Sequence, residues 1–455
     1  MSPTTDILIC GAGISGVSAA YHLAVRHGIK NIILVDERDP LSFTSDKSTE
    51  AYRNWWPGPG SEMINFMNRS IDLLEELALA CDNLFGLNRR GYVFLTGQEE
   101  KAKQMEAAAR EISALGAGEL RIHTKEDAAY TPSPAEGFQH QPTGADLVLN
   151  TALIQKHFPF ITGEAVAMLH TRRCGWLSAQ TLGMYLLEQA RAHGVRLVRG
   201  RVTGIGMENG RIASVTIDHT HTIHTGTFIN TAGPFLRDVG QLMGIDLPVF
   251  NELHGKISFR DTAGIISRDA PLMIWEDPVH LFWGEEERKE LAADPETRWL
   301  TEQFPAGVHF RPEGAGDSPI ILVLWTYHLE KQTVVAHPTF PPEYPEIVMR
   351  GLVRMVPSLA RYLGTMSPPW VDGGYYCKTQ ENRPLIGPLP VAGAYVFGAV
   401  SGYGIMASQA GADLLAAHVT GSTLPDYAPA FSLARYDDPR YQNLLAHWNA
   451  TTGQL

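Results

Sequence analysis

The stretch Asp6-Ile7-Leu8-Ile9-Cys10-Gly11-Ala12-Gly13-Ile14-Ser15-Gly16 decides how the rest of the chain is read. Ile7 to Cys10 is a short apolar run, the pattern of a buried strand. The glycine turn follows at once, and Val17 to His27 reads as a helix with the small residues Ser18, Ala19 and Ala20 on its first turns. Asn31 to Val35 is a second buried strand, closed by Asp36. Strand, glycine turn, helix and second strand in this order form a βαβ unit with a dinucleotide fingerprint. Gly11 permits the tight turn, Gly13 lets the backbone approach a pyrophosphate, and Gly16 lets helix and strand pack closely. The helix start, at Ile14 and Ser15, offers N–H groups and about half a positive charge to the phosphates. Asp36 is placed to bind a ribose, and an acid there disfavours a 2′-phosphate. Glu37, Arg38 and Ser45 follow it and complete this candidate set. The motif alone fits FAD or NAD.

Composition narrows the classes. A chain of 455 residues suggests two or three domains. With 37 Lys and Arg against 49 Asp and Glu the net charge is −12, which argues against a nucleic-acid surface. No run approaches the ~20 apolar residues of a membrane span. The start Met1-Ser2-Pro3-Thr4-Thr5 carries no basic-then-apolar leader. Cys10, Cys81, Cys174 and Cys377 are far apart and read as reduced thiols, so the expected compartment is the cytoplasm. The histidines show no metal-ligand spacing, and no metal is expected.

Downstream, Arg53-Asn54-Trp55-Trp56-Pro57 reads either as a core anchor or as a segment near the reactive end of a cofactor. Ser61 caps the next helix, whose apolar face includes Ile64, Met67, Ile71 and Leu74. Arg89 to Thr96 reads as a strand and Glu99 to Leu115 as an amphipathic helix. Ala179 to His193 is a helix ended by Gly194, followed by strands at Val195 to Val198 and from Arg201 to Ile205. Arg211 to Ile217 and Thr222 to Ile229 read as a hairpin leading into Thr231-Ala232-Gly233. The region Leu247 to Leu324 is strand-rich, interrupted by a charged helical insertion at Glu285 to Gln303. Near the end, the strand Ala394 to Ala399 runs into Ser401-Gly402-Tyr403-Gly404-Ile405-Met406, a second glycine-rich helix start that offers donors to an anion.

Four blocks resemble the D-amino-acid-oxidase-like superfamily of FAD enzymes, which includes glycine oxidase and monomeric sarcosine oxidase. They are Gly11 to Asp36, Gly175 to Val202, Phe228 to Gly233, and Arg383-Pro384-Leu385-Ile386-Gly387 together with Gly398 to Ala416. The resemblance implies FAD rather than NAD. It implies an α/β and α+β fold, with a Rossmann-like FAD-binding domain at 1–88, 150–245 and 368–455. A substrate domain on a mixed or antiparallel sheet then occupies 89–149 and 246–367. It further implies that Val202 lies near the adenine, that Thr231, Ala232 and Gly233 close on the pyrophosphate, and that Gly374, Gly402, Tyr403, Gly404, Ile405 and Met406 lie at the flavin.

The implied reaction removes a hydride from a carbon beside an amine nitrogen, and water hydrolyses the resulting imine. The expected partners are a small amine substrate and oxygen or another electron acceptor, with oligomeric state left open. Departures from the family locate the chemistry. Where amino-acid oxidases place an arginine for the substrate carboxylate, this chain has Tyr376. Arg53 or Lys378 would have to replace it. The strand Ile320 to Tyr327 has no lysine of the kind sarcosine-oxidase-like enzymes use with oxygen, and Lys256 is the nearest candidate. Tyr376, Tyr403, Lys256 and Arg53 are therefore the expected catalytic residues. Trp55, Trp275, Trp283, Trp325 and Tyr375 are the expected substrate pocket, and aromatic residues suit an N-alkylated or cyclic amine. Cys377 sits a few residues from the position of covalent flavin attachment, so FAD is expected to be non-covalent. A D-amino-acid or glycine oxidase, and a flavoprotein subunit serving assembly or electron transfer, are the alternatives.

Overall fold

In the computed structural model of the protein, the described residues are 3–448 apart from 127, 128, 329 and 366. Met1, Ser2 and 449–455, which include the ends of the expected cofactor-binding segments, lie outside them.

The strand Ile7–Cys10 is buried along its whole length. It sits inside a six-stranded sheet of order Leu385–Pro388, Ala394–Gly398, Phe228–Asn230, Ile7–Cys10, Ile32–Asp36, Arg196–Arg199. Its pairings are parallel except at the edge strand Leu385–Pro388. Unbroken runs such as Ile32-Ile33-Leu34-Val35 suit a strand covered on both faces. On one face, Ile9 and Leu34 join a core with the helices Ile14–Tyr21, Glu62–Ala80, Ala179–Ala192 and Gly404–Thr420. On the other, Leu8, Ile33 and Val35 pack with Val202, Ile212 and Val215 of a three-stranded antiparallel sheet.

The second large sheet has nine strands in the order Trp370–Lys378, Phe250–Arg260, Ile320–Leu324, His309–Pro312, Leu272–Trp275, Tyr92–Thr96, Ala167–Thr171, Ala145–Val148, Leu120–His123. Its two faces are chemically distinct because successive side chains in a strand point oppositely. Val93, Leu95, Met273, Phe310, Ile257 and Val323 look one way, into a core closed by the helix Tyr344–Met355. Direct pairing puts Phe94, Ile274, His309, Leu324, Lys256 and Asp372 in one row on the opposite face. That inner face meets the parallel-sheet half: Lys256 Nζ donates to Ser48 O at 3.3 Å, and Arg311 Nε donates to Thr49 O at 2.9 Å.

Several elements depart from the sequence reading. Thr222 to Ile229 is not one strand; His221–His224 stays in the hairpin while Phe228–Asn230 joins the parallel sheet. The Thr225 hydroxyl turns the chain there by donating to Asp6 O and Thr227 O. The first helix ends at Tyr21 and widens into a π turn at His22–Arg26. The strand expected from Arg89 starts at Tyr92, after Gly91 adopts φ of +87°. Ala167–Thr171 and Trp370–Lys378, both inside segments assigned to the cofactor half, pair in the nine-stranded sheet. Between Glu285 and Gln303 the charged insertion contains the helix Glu285–Ala293, which has no buried residue.

Candidate active site

A groove of about 520 Å³ runs between the two halves. Its floor begins at the first glycine turn. A Cβ on Gly11 would come within 2.5 Å of Thr231 O, and one on Gly16 within 1.8 Å of Gly11 O. Gly11 also adopts φ of +107°. These positions accept glycine alone, as a turn packed against two backbones requires. A Cβ on Gly13 would meet Ser45 Oγ at 3.3 Å, and that hydroxyl accepts from Ile14 N at 2.9 Å. The Asp36 carboxylate accepts from Ala12 N at 2.7 Å and Arg38 N at 2.8 Å, which aims it at the turn. Gly11, Gly13, Ile14, Ser15, Asp36, Glu37, Arg38, Ser45, Val202, Thr231, Ala232 and Gly233 all line the groove, while Gly16 packs behind it.

The far end lies at the second glycine-rich helix start. Gly374, Gly402, Gly404 and Ile405 line it, together with Ala399 and Ser401. Ala399 and Ser401 hold φ of +54° and +46°, a left-handed conformation that non-glycine residues adopt at a cost of about 1 kcal/mol each. Two strained residues in one connection bend the chain so that the helix Gly404–Thr420 begins facing the groove. A long dinucleotide needs phosphate donors at one end of such a groove and a positive helix end for the ring at the other, so the residues fit FAD.

The expected catalytic residues separate. Tyr376 lines the groove, and burial pushes its phenol up to about 12. Tyr403 does not line it: its hydroxyl donates to Asn382 O at 2.6 Å, and its ring meets Trp56 edge-on at 5.1 Å. Arg53 is buried, its guanidinium 4.7 Å from the Trp56 ring centroid, and burial lowers its pKa. Arg53, Trp56 and Tyr403 thus form a column behind the far end rather than a surface of the groove. Lys256 stands behind the wall that Lys47 and Ser48 make; burial lowers its pKa against the pull of Asp372 and Glu50.

Of the expected substrate pocket, Tyr375 alone lines the groove, with its hydroxyl accepting from Val335 N at 3.0 Å. Trp275 and Trp325 are next to Ile274 and Leu324 in sequence, so they point to the opposite face of the sheet. Both are fully buried in the core under Tyr344–Met355, and a Cβ on Gly351 of that helix would strike the Trp325 ring. Burying a ring of this size contributes about 3 kcal/mol to folding, which is a structural role. Trp283 lies under the Arg350 guanidinium at 3.7 Å and donates to Leu300 O. Trp55 is in the core of the parallel-sheet half, and its indole N–H finds no partner among the described residues. Met406 is buried within the first turn of the last helix.

His254 and His309, which the sequence reading passed over, and Lys378, which it offered in place of an arginine, complete the inner face. His254 is stacked on Tyr376 with ring centroids 3.7 Å apart and 13° between planes. Lys378 is buried against Glu252 at 3.0 Å rather than turned to a substrate. His309 Nδ1 lies 2.8 Å from Gly307 O; a carbonyl only accepts, so Nδ1 carries the proton, and burial pulls the ring down to about 4. The signal was the alternation Glu252, His254, Lys256 within the strand Phe250–Arg260: polar residues at period two in a buried strand mark one face for a task other than packing.

The model of the family described as FAD dependent oxidoreductase (DAO) matches residues 6–418. The chain is 25% identical over 224 residues to sarcosine oxidase subunit beta of Rhodobacter capsulatus, an overlap of 48% of this chain and 51% of that protein. It is 21% identical over 319 residues to mitochondrial dimethylglycine dehydrogenase of Homo sapiens, covering 66% of this chain and 33% of that one. The chain thus spans about half and about a third of the lengths of these curated relatives. Among solved structures, L-proline dehydrogenase from P. horikoshii superposes with a TM-score of 0.72 at 18% identity, over 96% of this chain and 99% of that chain. This last likeness is one of fold.

Proposed function

Because the chain belongs to the FAD-dependent oxidoreductase (DAO) family, we propose that it oxidises the C–N bond of a secondary or tertiary amine, in the class of N-alkylated or cyclic amino acids. The imine formed is released and hydrolysed by water. FAD, when bound, supplies the hydride acceptor. The observation that carries the reading is the far end of the groove. There the start of Gly404–Thr420 and the phenol of Tyr376 meet at one place, beside the inner face of the nine-stranded sheet. The parallel-sheet half holds the dinucleotide and the nine-stranded sheet faces the substrate.

Each group has a limited task. Gly11, Gly13, Ile14 and Thr231 bring backbone to the phosphates, and Asp36 takes the ribose. The helix end at Gly402 to Ile405 stabilises negative charge developing nearby. Tyr376 remains a neutral O–H donor across the physiological range. Arg53 adds positive charge behind that end, and Lys256 stands behind the side wall, its pKa lowered by burial. The rest of the rate comes from holding the amine carbon in place. Non-covalent attachment of FAD is supported by Cys377, whose thiol lines the groove but is pushed up to about 12 by burial, far from a reactive thiolate.

The names of the similar proteins support the substrate class, since sarcosine, dimethylglycine and proline all carry a substituted amine nitrogen. Tyr376 in place of an arginine argues in the same direction. Anaerobic mixing of the purified protein with an amine panel tests it: bleaching of the flavin band by N-methyl or cyclic amino acids is the expected result. Bleaching by glycine or primary D-amino acids alone would overturn it. Acid precipitation should leave the yellow colour in the supernatant. Turnover by the isolated chain, with oxygen or an artificial acceptor, would remove the reading of a subunit that only passes electrons to a partner.

A further inference from the structure

The inner face of the nine-stranded sheet carries a buried polar chain that ends on Tyr376. Glu252, His254 and Tyr376 come from two adjacent strands, where Glu252 is paired with Tyr376 and His254 with Gly374. His254 Nε2 lies 3.3 Å from Glu252 Oε2, and Nδ1 lies 3.0 Å from Thr326 Oγ1. A carboxylate only accepts, so Nε2 carries the hydrogen and the Thr326 hydroxyl donates to Nδ1. Lys378 Nζ donates to the same Glu252 oxygen at 3.0 Å. Burial would raise Glu252, but His254 and Lys378 outweigh it and hold the carboxyl below its ordinary range. Burial lowers His254 against the pull of Glu252, so the imidazole stays neutral. Both its nitrogens are held, and the ring plane is fixed.

That plane is the bed on which Tyr376 lies, at 3.7 Å and 13°. The other border of the tyrosine is Gly402. A Cβ there would fall 2.3 Å from Tyr376 Cε2, 2.5 Å from Cζ and 2.8 Å from the hydroxyl oxygen. Gly402 has no positive φ that would call for glycine, so the space taken by Tyr376 accounts for it. The ring is therefore held between an imidazole of the substrate-facing sheet and the turn that opens the last helix. Its hydroxyl is on the edge that faces Gly402, at the far end of the groove.

We propose that His254 is a positioning residue of this site: tied down by Glu252 and Thr326, it fixes the Tyr376 ring against Gly402 and so sets where the phenol meets the flavin end of the groove. The proposal rests on the reading that this groove holds FAD. His254 does not line the groove; it acts through Tyr376.

A double-variant cycle in the full-length protein tests it, read as the FAD dissociation constant from equilibrium dialysis and as the flavin absorption maxima. His254→Leu removes the flat partner. A stacked aromatic pair of this kind corresponds to roughly a threefold to tenfold change. The expected result is a rise of about that size in the dissociation constant with a shift of the flavin bands. Both effects should vanish when His254→Leu is made in a Tyr376→Ala background. Gly402→Ala, which pushes the same ring from its other border, should act in the same direction and also be silenced by Tyr376→Ala. Should His254→Leu fail to fold, Thr326→Val, which only unties Nδ1, carries the same cycle. Equal effects in both backgrounds, or an unchanged dissociation constant and spectrum in His254→Leu, overturn the positioning role while leaving the flavin reading intact. A wild-type protein that takes up no FAD overturns both.

Discussion

The two sides of the groove are made of different material. The side that receives the dinucleotide is mainly backbone: glycines without room for a Cβ, N–H groups at helix starts, and the carboxylate of Asp36 tied to the glycine turn. The opposite side is reached by Tyr376, behind which the polar side chains Glu252, His254, Lys256, His309 and Arg311 stand in register on the same sheet face. A backbone cradle is specified by what is missing from a few neighbouring residues. A side-chain surface is specified by strand parity and pairing over much of the chain. Glycine itself illustrates the contrast. Gly11 and Gly16 make room for backbone close in sequence and in the adjoining turn, whereas Gly402 makes room for one side chain on a distant strand.

The largest effect should come from the backbone side. Gly16→Ala places a Cβ against a carbonyl that cannot yield, at an expected cost of at least about 3 kcal/mol. Purified protein should contain almost no FAD, read as the ratio of flavin to protein absorbance; normal flavin content would show that the turn tolerates a Cβ and is not the rigid backbone cradle described. Close behind, Trp325→Ala should destabilise by about 3 to 5 kcal/mol in urea unfolding while leaving the flavin spectrum of the folded protein unmoved. A shifted spectrum would return Trp325 to the site and undo the distinction between the two sheet faces.

Acid should act through the side-chain array. His309 in the folded protein takes its proton only near pH 4, whereas the unfolded chain does so near 6.5. Between those values the unfolded state binds the extra proton, so this contribution is complete above about pH 6.5 and is lost as pH falls toward 4. The window corresponds to about 3 kcal/mol. In His309→Asn that part of the pH dependence of unfolding should be missing; an unchanged profile would show that the imidazole is not held neutral. His170, drawn down to about 3 by burial in the same sheet, should continue the loss at lower pH. The smallest effect is expected at the strained connection. Ser401→Gly should raise stability by about 0.5 to 1 kcal/mol by relieving a left-handed φ, as a small rise in melting temperature.

Much of the fold was legible from local pattern. The βαβ opening, the helix Ala179–Ala192 with Gly194 beyond its end, and the last helix follow from apolar runs and glycines, signals confined to about ten neighbouring residues. The strand Thr222 to Ile229 misled because its apolar residues continue through a break that the Thr225 hydroxyl makes by bonding to Asp6 O, just before the first strand. The aromatic residues misled for a related reason. Trp275 ends one strand of the nine-stranded sheet and Trp325 directly follows another, but a shift of one residue separates its two faces. Tyr403, next to the helix start, turns back to Asn382 instead of entering the groove.

By itself, then, the sequence determined that the chain binds a dinucleotide, and the order of its blocks pointed to FAD. A pyrophosphate cradle is local, and glycine spacing states it directly. Only the tertiary structure decided which side chains stand at the reactive end. Lys256 was brought behind the wall at Ser48, Tyr376 was laid on His254 and against Gly402, and the tryptophans were sent to the opposite core. The physical reason is that strand register and the parity of each side chain are settled by pairing between segments far apart in the chain.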